Sequence, residues 1–158
     1  MKKVFIFLLI LLAFSFTSCV KHMPDTNGPN DISLSTITLD EILNGHTTTV
    51  KSGALKVQHG RKCSIKVKKF SGVEVLDTFN LNNSGFHFAI NAELYEGNFK
   101  LLLCTKDKVL REIMINEGTQ KFKLPPTTAT IYLKAAGESA HYNLTYEYEI
   151  DMPISMVI

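Results

Sequence analysis

The side chains with the strongest chemistry are scattered along the chain. Its five histidines are His22, His46, His59, His87 and His141. None of them pairs at HxH, HxxxH or HExxH spacing, which would bring two imidazoles to one metal, so neither a zinc site nor any cofactor is expected. The run from Asp25 to Asp31 lacks the regular acidic spacing and twelfth-position Glu of a calcium loop. No GxSxG, SxxK, CxxC or Walker pattern occurs, and the reading leans away from an enzyme. Surface-type residues remain. His87, Asn91 and Glu93 recur on the outward side of one strand pattern, and Tyr132 alternates outward from Ile131 and Leu133. These four are the candidate ligand surface. Lys62, Lys66, Lys68 and Lys69 form a basic stretch that could meet an anionic polymer, but lysines of this kind more often guard a sheet edge or face.

The first nineteen residues carry a different signal. Lys2 and Lys3 precede an apolar run over residues 4–16, broken only by Ser15. Thirteen helical residues rise about 20 Å, short of the roughly 30 Å hydrocarbon core. A positive start followed by a short apolar segment and small residues is the layout of a secretory signal peptide. The segment ends Phe16-Thr17-Ser18-Cys19 and resembles the lipobox of bacterial lipoproteins, with Phe16 where that family usually has Leu. The resemblance implies that residues 1–18 are removed and that the Cys19 thiol receives a diacylglyceryl group, with palmitate among the acyl chains. Two or more chains give stable anchoring, at about 0.8 kcal/mol per buried CH₂. Val20, with no Asp after the cysteine, is similar to lipoproteins sorted to an outer membrane. The implied location is the extracytoplasmic side of a bacterial cell envelope, with a membrane as partner through the lipid.

Charge supports an export role for the leader. The whole chain carries 17 Lys and Arg against 15 Asp and Glu. Lys2 and Lys3 account for the excess, so the chain from Cys19 onward is formally neutral and has no basic footprint for nucleic acid. Hydrophobic residues make up 45%, enough for a packed core. With Cys19 lipidated, Cys63 and Cys104 remain. A bridge between them would close a loop of about 42 residues and contribute about 4 kcal/mol on the chain-entropy model. Strand phase argues against it: Cys63 shares an inward face with Ile65 and Val67, whereas Cys104 shares a face with Lys100 and Leu102.

Local patterns then supply the elements. Residues 20–35 contain Pro24, Gly28 and Pro29 and read as a tether, about 20–24 Å long on average as a coil. Thr38 and Glu41 stand in capping-box spacing before Ile42 and Leu43, with Gly45 as a stop, which predicts a short helix over 39–44. From Thr47 onward the period is two. A β-rich stretch begins at 47–50 and extends through 54–58, and further short strands are expected over 61–70, 73–81, 86–94, 99–105, 109–115, 120–124, 129–135 and 142–150. Asn82-Asn83-Ser84-Gly85 and Asn116-Glu117-Gly118 read as turns, and Glu96-Gly97-Asn98 as a hairpin. Tyr142, Tyr146 and Tyr148 point inward, with Leu144 and Ile150.

The expected protein is therefore all-β, an antiparallel β-sandwich (jelly-roll or Ig-like) of about eight strands. A signal helix, a tether and one short helix precede it. Residues 1–18 are the signal peptide, 19–46 the lipid-anchored tether with its helix, 47–151 the sandwich and 152–158 a tail. The function this implies is a membrane-anchored, non-enzymatic envelope module that binds a polymer or protein partner or serves structurally. The alternatives are a carbohydrate- or cell-envelope-polymer-binding module and a small hydrolase or inhibitor with a loop-assembled site.

Overall fold

The computed structural model describes residue 34, residues 36–45 and residues 48–151. The leader with Cys19, most of the tether, His22, His46 and the expected tail lie outside the described residues. Among the described residues one helix, α1 (Leu39–Asn44), precedes seven strands. They are β1 (Val50–Ser52), β2 (Leu55–His59), β3 (Lys62–Asn80), β4 (Ser84–Cys104), β5 (Val109–Ile113), β6 (Gln120–Thr127) and β7 (Thr130–Ile150). All pairings are antiparallel, in the order β1-β3-β7-β4-β5, with β2 also on β3 and β6 also on β4. The fold is all-β, as the period-two pattern predicts. Among the described residues no helix is long and apolar enough to cross a membrane.

Three of the strands are much longer than expected, because pairs of short predicted strands are single bent ones. The β3–β7 register slips between Val67 and Phe70 and between Phe70 and Gly72, and the β4–β7 register between Leu94 and Glu96 and between Glu96 and Asn98. Near those slips Gly72, Gly97 and Ser139 have φ of 109°, 79° and 53°. A Cβ on Gly97 would lie 2.5 Å from the Ser139 carbonyl oxygen. Bulges and left-handed residues bend a strand without ending it. The expected hairpin at Glu96-Gly97-Asn98 is thus a corner within β4.

Bending all three strands at one corner folds the sheet onto itself. Phe79, near one end of β3, meets Phe86, Phe88 and Tyr148 of the opposite end at centroid distances of 4.9, 5.8 and 4.9 Å. The Tyr146 hydroxyl donates across the gap to Asp77 Oδ2 at 2.6 Å. The result is sandwich-like. A front layer holds β2, β6 and residues 62–67, 84–94 and 142–150 of the long strands. A back layer holds β1, β5 and residues 69–80, 96–104 and 130–140. The core between them takes Ile65, Val67, Phe86, Phe88, Ile90 and Leu144 from the front and Phe99, Leu101, Leu103, Ile131 and Leu133 from the back, all buried. Tyr142 and Tyr146 are buried and Tyr148 is half-buried, on the side their phase predicts.

Two local expectations change. A register slip between Val75 and Asp77 breaks the unbroken alternation expected over 73–81, leaving Val75 46% exposed while Phe79, of the same parity, is in the core. Strand β6 runs on through Pro125 and Pro126 to Thr127, which an edge strand tolerates because its outer N–H groups pair with nothing.

Part of the back layer's outer face is covered by α1. Helix α1 has its capping box: Thr38 Oγ1 accepts from the Glu41 N–H, and Glu41 Oε2 accepts from the Thr38 N–H at 2.7 Å. The Thr38 N–H foremost, and then the Thr38 hydroxyl, donate to the Glu41 carboxylate and hold it below its ordinary range. Gly45, at φ 68°, ends the helix. Too short to persist alone, α1 buries Ile42 against Val73, Leu102 and Ala136, worth about 1.5–3 kcal/mol. The buried Lys134 ammonium donates to the carbonyls of Ile42 and Leu43, a cation at a helix C-terminus. Just before the helix, the Thr36 N–H and hydroxyl both donate to Glu138 Oε1 at 2.7 Å.

Candidate functional site

The front layer's outer face is the opposite case, because among the described residues no element packs over it. Register places Val57, Ser64, Thr145 and Asn91 side by side across four strands. The next row is His59, Lys62, Glu147, Ala89 and Lys121. Small side chains in the middle and longer ones at the rims leave a trough. It comprises a hollow of about 350 Å³ over Val57, Ser64, Asn91 and Thr145, and one of about 290 Å³ beside His87 and Lys121. Ala89 and Glu147 line both. The Lys62–Glu147 ion pair, 3.3 Å apart, is mostly exposed and worth at most about 1 kcal/mol. Asn91 Oδ1 is occluded and has no hydrogen-bond partner among the described residues.

Of the four candidate surface residues, His87, Asn91 and Glu93 lie together on this face, pointing outward from alternate positions of β4. Asn91 Nδ2 donates to Glu93 Oε1 at 3.3 Å, and His87 Nε2 lies 3.2 Å from Asp151 Oδ1. Tyr132 does not join them. It is half-buried on the back layer, its ring 5.7 Å from the Lys134 ammonium. Cys63 and Cys104 are both buried free thiols. Cys63 belongs to the core, and Cys104 follows the parity of Leu102 on the back layer's outer side. Burial pushes the Cys104 thiol up in pKa, partly offset by the Lys134 charge. The four lysines at 62, 66, 68 and 69 are exposed along β3.

One residue of this face escapes sequence reasoning. Tyr95 is the extra residue of the bulge between Leu94 and Glu96. Its ring is exposed and rests on His141 with centroids 5.0 Å apart. Its hydroxyl donates to Glu93 Oε2 and accepts from Asn143 Nδ2, both at 2.7 Å. The hydrogen bond to Glu93 raises the Tyr95 pKa. The signal was present, since Tyr95 continues the outward series 87, 89, 91, 93, but a presumed turn at 96–98 hid it.

Chemically the face offers amides, hydroxyls, one networked carboxylate and an aromatic ring, which suit hydrogen bonding and stacking. Among the described residues, no three His, Cys, Asp or Glu side chains gather in a way that could hold a metal ion. Tyr146, with Asp77 and Cys63 beside it, is held in its neutral form, first by burial and then by the bond to Asp77. That group ties the two layers together inside the core, away from the trough. Comparison with protein-family models gives no match, and a search of the curated proteins gives none.

Proposed function

We propose that this protein is a lipid-anchored, extracytoplasmic module of a bacterial cell envelope that binds envelope material without chemically altering it. The lipobox-like Phe16-Thr17-Ser18-Cys19 supports the anchor. The unequal treatment of the two outer faces carries the binding role. The back layer is strapped by α1 and by the Thr36–Glu138 bonds, so the chain from the anchor enters there. The front layer faces the other way, with its trough open. A tethered sandwich arranged like this holds its free face away from its attachment.

Two measurements test the reading. In a bacterial host, labelled palmitate should be incorporated into the wild-type chain and not into Cys19→Ser, and the variant should leave the membrane fraction. Retention of Cys19→Ser on membranes would remove the lipid-anchor reading. For the binding half, Thr145→Arg fills the trough at an exposed position and should abolish cosedimentation of the detergent-solubilised full chain with isolated envelope polymer. Unchanged cosedimentation would remove the front face as the binding surface.

The middle of the trough also favours a carbohydrate-type polymer over a charged one, since Lys62, Glu147 and Lys121 stand in the adjoining row. Its central row, Ser64, Thr145 and Asn91, carries no formal charge.

A further inference from the structure

Tyr95 is the one exposed Phe or Tyr among the described residues, at 53%. Exposed tyrosines ordinarily sample several rotamers, and ordering one on binding costs free energy. Tyr95 is already ordered: its hydroxyl is fixed at both lone-pair and proton sides by Asn143 and Glu93, and its ring leans on His141. Asn91 holds the other oxygen of the same carboxylate. A bulge re-aims this side chain, a device common beside functional sites. Lys66 stands two strands from Glu93, on the far side of Asn143.

Resting on the reading of the front face as the binding surface, we infer that Tyr95, Glu93, Asn91 and Asn143 form a subsite for one sugar ring of a neutral glycan. A pyranose has an apolar C–H face rimmed by hydroxyls that each donate and accept. The ring of Tyr95 matches the first. The planar carboxylate and amides match the second, since together they supply both acceptors and donors at fixed positions. A polyanion would meet the Glu93 carboxylate at the centre of the site. A protein partner would call for a larger apolar centre than one tyrosine, since the exposed Leu55 and Val57 stand three strands away on β2. The trough over Ser64 and Thr145 would carry the neighbouring sugars of the same chain.

The experiment uses the full chain in detergent on an array of neutral oligosaccharides (β-linked hexoses and N-acetylhexosamines) with uronic-acid and sulfated oligosaccharides alongside. The best neutral ligand is then titrated by calorimetry. Wild-type protein should retain neutral oligosaccharides in preference to acidic ones. Tyr95→Ala should weaken binding about tenfold or more, equivalent to about 1.4 kcal/mol. Tyr95→Phe, which keeps the ring and loses the hydroxyl clamp, should cost only a few-fold. Tyr132→Ala, on the other layer, should change nothing. Retention of acidic oligosaccharides alone, or of no glycan, would overturn the inference. So would neutral binding that Tyr95→Ala leaves intact. In that last case Thr145→Arg separates the two claims: if it abolishes binding, the face stands and the Tyr95 subsite falls, and if it does not, the face falls as well.

Discussion

Tyr142 shows how the inner face differs from the outer one at the level of single side chains. Its ring stacks on Phe99 at 4.2 Å and meets Phe70 edge-on at 5.9 Å, and no part of it is exposed. Its hydroxyl is buried without a partner among the described residues. Burial, and secondarily the Glu74 charge, push its pKa well above the ordinary value. A buried hydroxyl without a hydrogen bond costs stability, so Tyr142→Phe should leave the protein as stable or raise stability by about 1 kcal/mol. The urea midpoint should move accordingly, with an unchanged m-value. A loss of stability in this variant would mean that the hydroxyl is bonded after all. The pH dependence has a definite sign. A raised phenol pKa means that the unfolded state releases its proton first, so stability is complete below about pH 10 and falls as pH rises further. Tyr146 behaves alike. Tyr142→Phe removes one of these two groups and should make the alkaline loss shallower.

At the level of elements, the corner is the decisive feature. Gly97 combines a left-handed φ of 79° with backbone 2.5 Å from where a Cβ would sit, whereas Gly118, at φ 73°, has nothing within 4 Å. Gly118→Ala should therefore cost only the conformational penalty, about 1 kcal/mol. Gly97→Ala must also displace the Ser139 carbonyl and should cost at least about 2 kcal/mol more. Equal losses in denaturant titrations would show that the corner yields easily. The same glycine explains what the sequence could and could not disclose. Inward Phe86, Phe88, Ile90 and Leu144 were legible because alternation is a local property, and α1 was legible because its capping box spans only four residues. Gly97 was legible as a left-handed position, but such a position serves a hairpin or a bend equally well. Which of these occurs depends on whether β7 bends beside it, a contact far away along the chain. That ambiguity split three strands into six and placed Tyr95 at a turn. The register slip at Val75 is invisible for the same reason, since only the partner strand defines it. Of the candidate surface, His87, Asn91 and Glu93 came from one strand and fell together, while Tyr132 came from another and fell in the other layer.

Across the whole molecule, continuity through the corner determines how the protein comes apart. Each layer takes its three central strands from the same β3, β7 and β4, so neither layer has a boundary at which it could separate. The core is shared as well, with Phe79 of the back layer among Phe86, Phe88 and Tyr148 of the front. Small domains with one such core unfold in a single step. Leu144 lies in the front half of β7 and Leu133 in the back half, and both are fully buried. Leu144→Ala and Leu133→Ala should each cost about 3 kcal/mol and lower the same transition. Hydrogen exchange makes the distinction sharp. In either variant the amides of residues 62–67 and those of residues 130–140 should lose protection by the same free energy, because both open only when the whole sheet does. If Leu144→Ala loosened the front amides alone, the layers would be separate folding units joined by a hinge. Single-unit behaviour ties the front face to the strapped back layer as one rigid support, which is what a surface that binds by preorganised side chains requires.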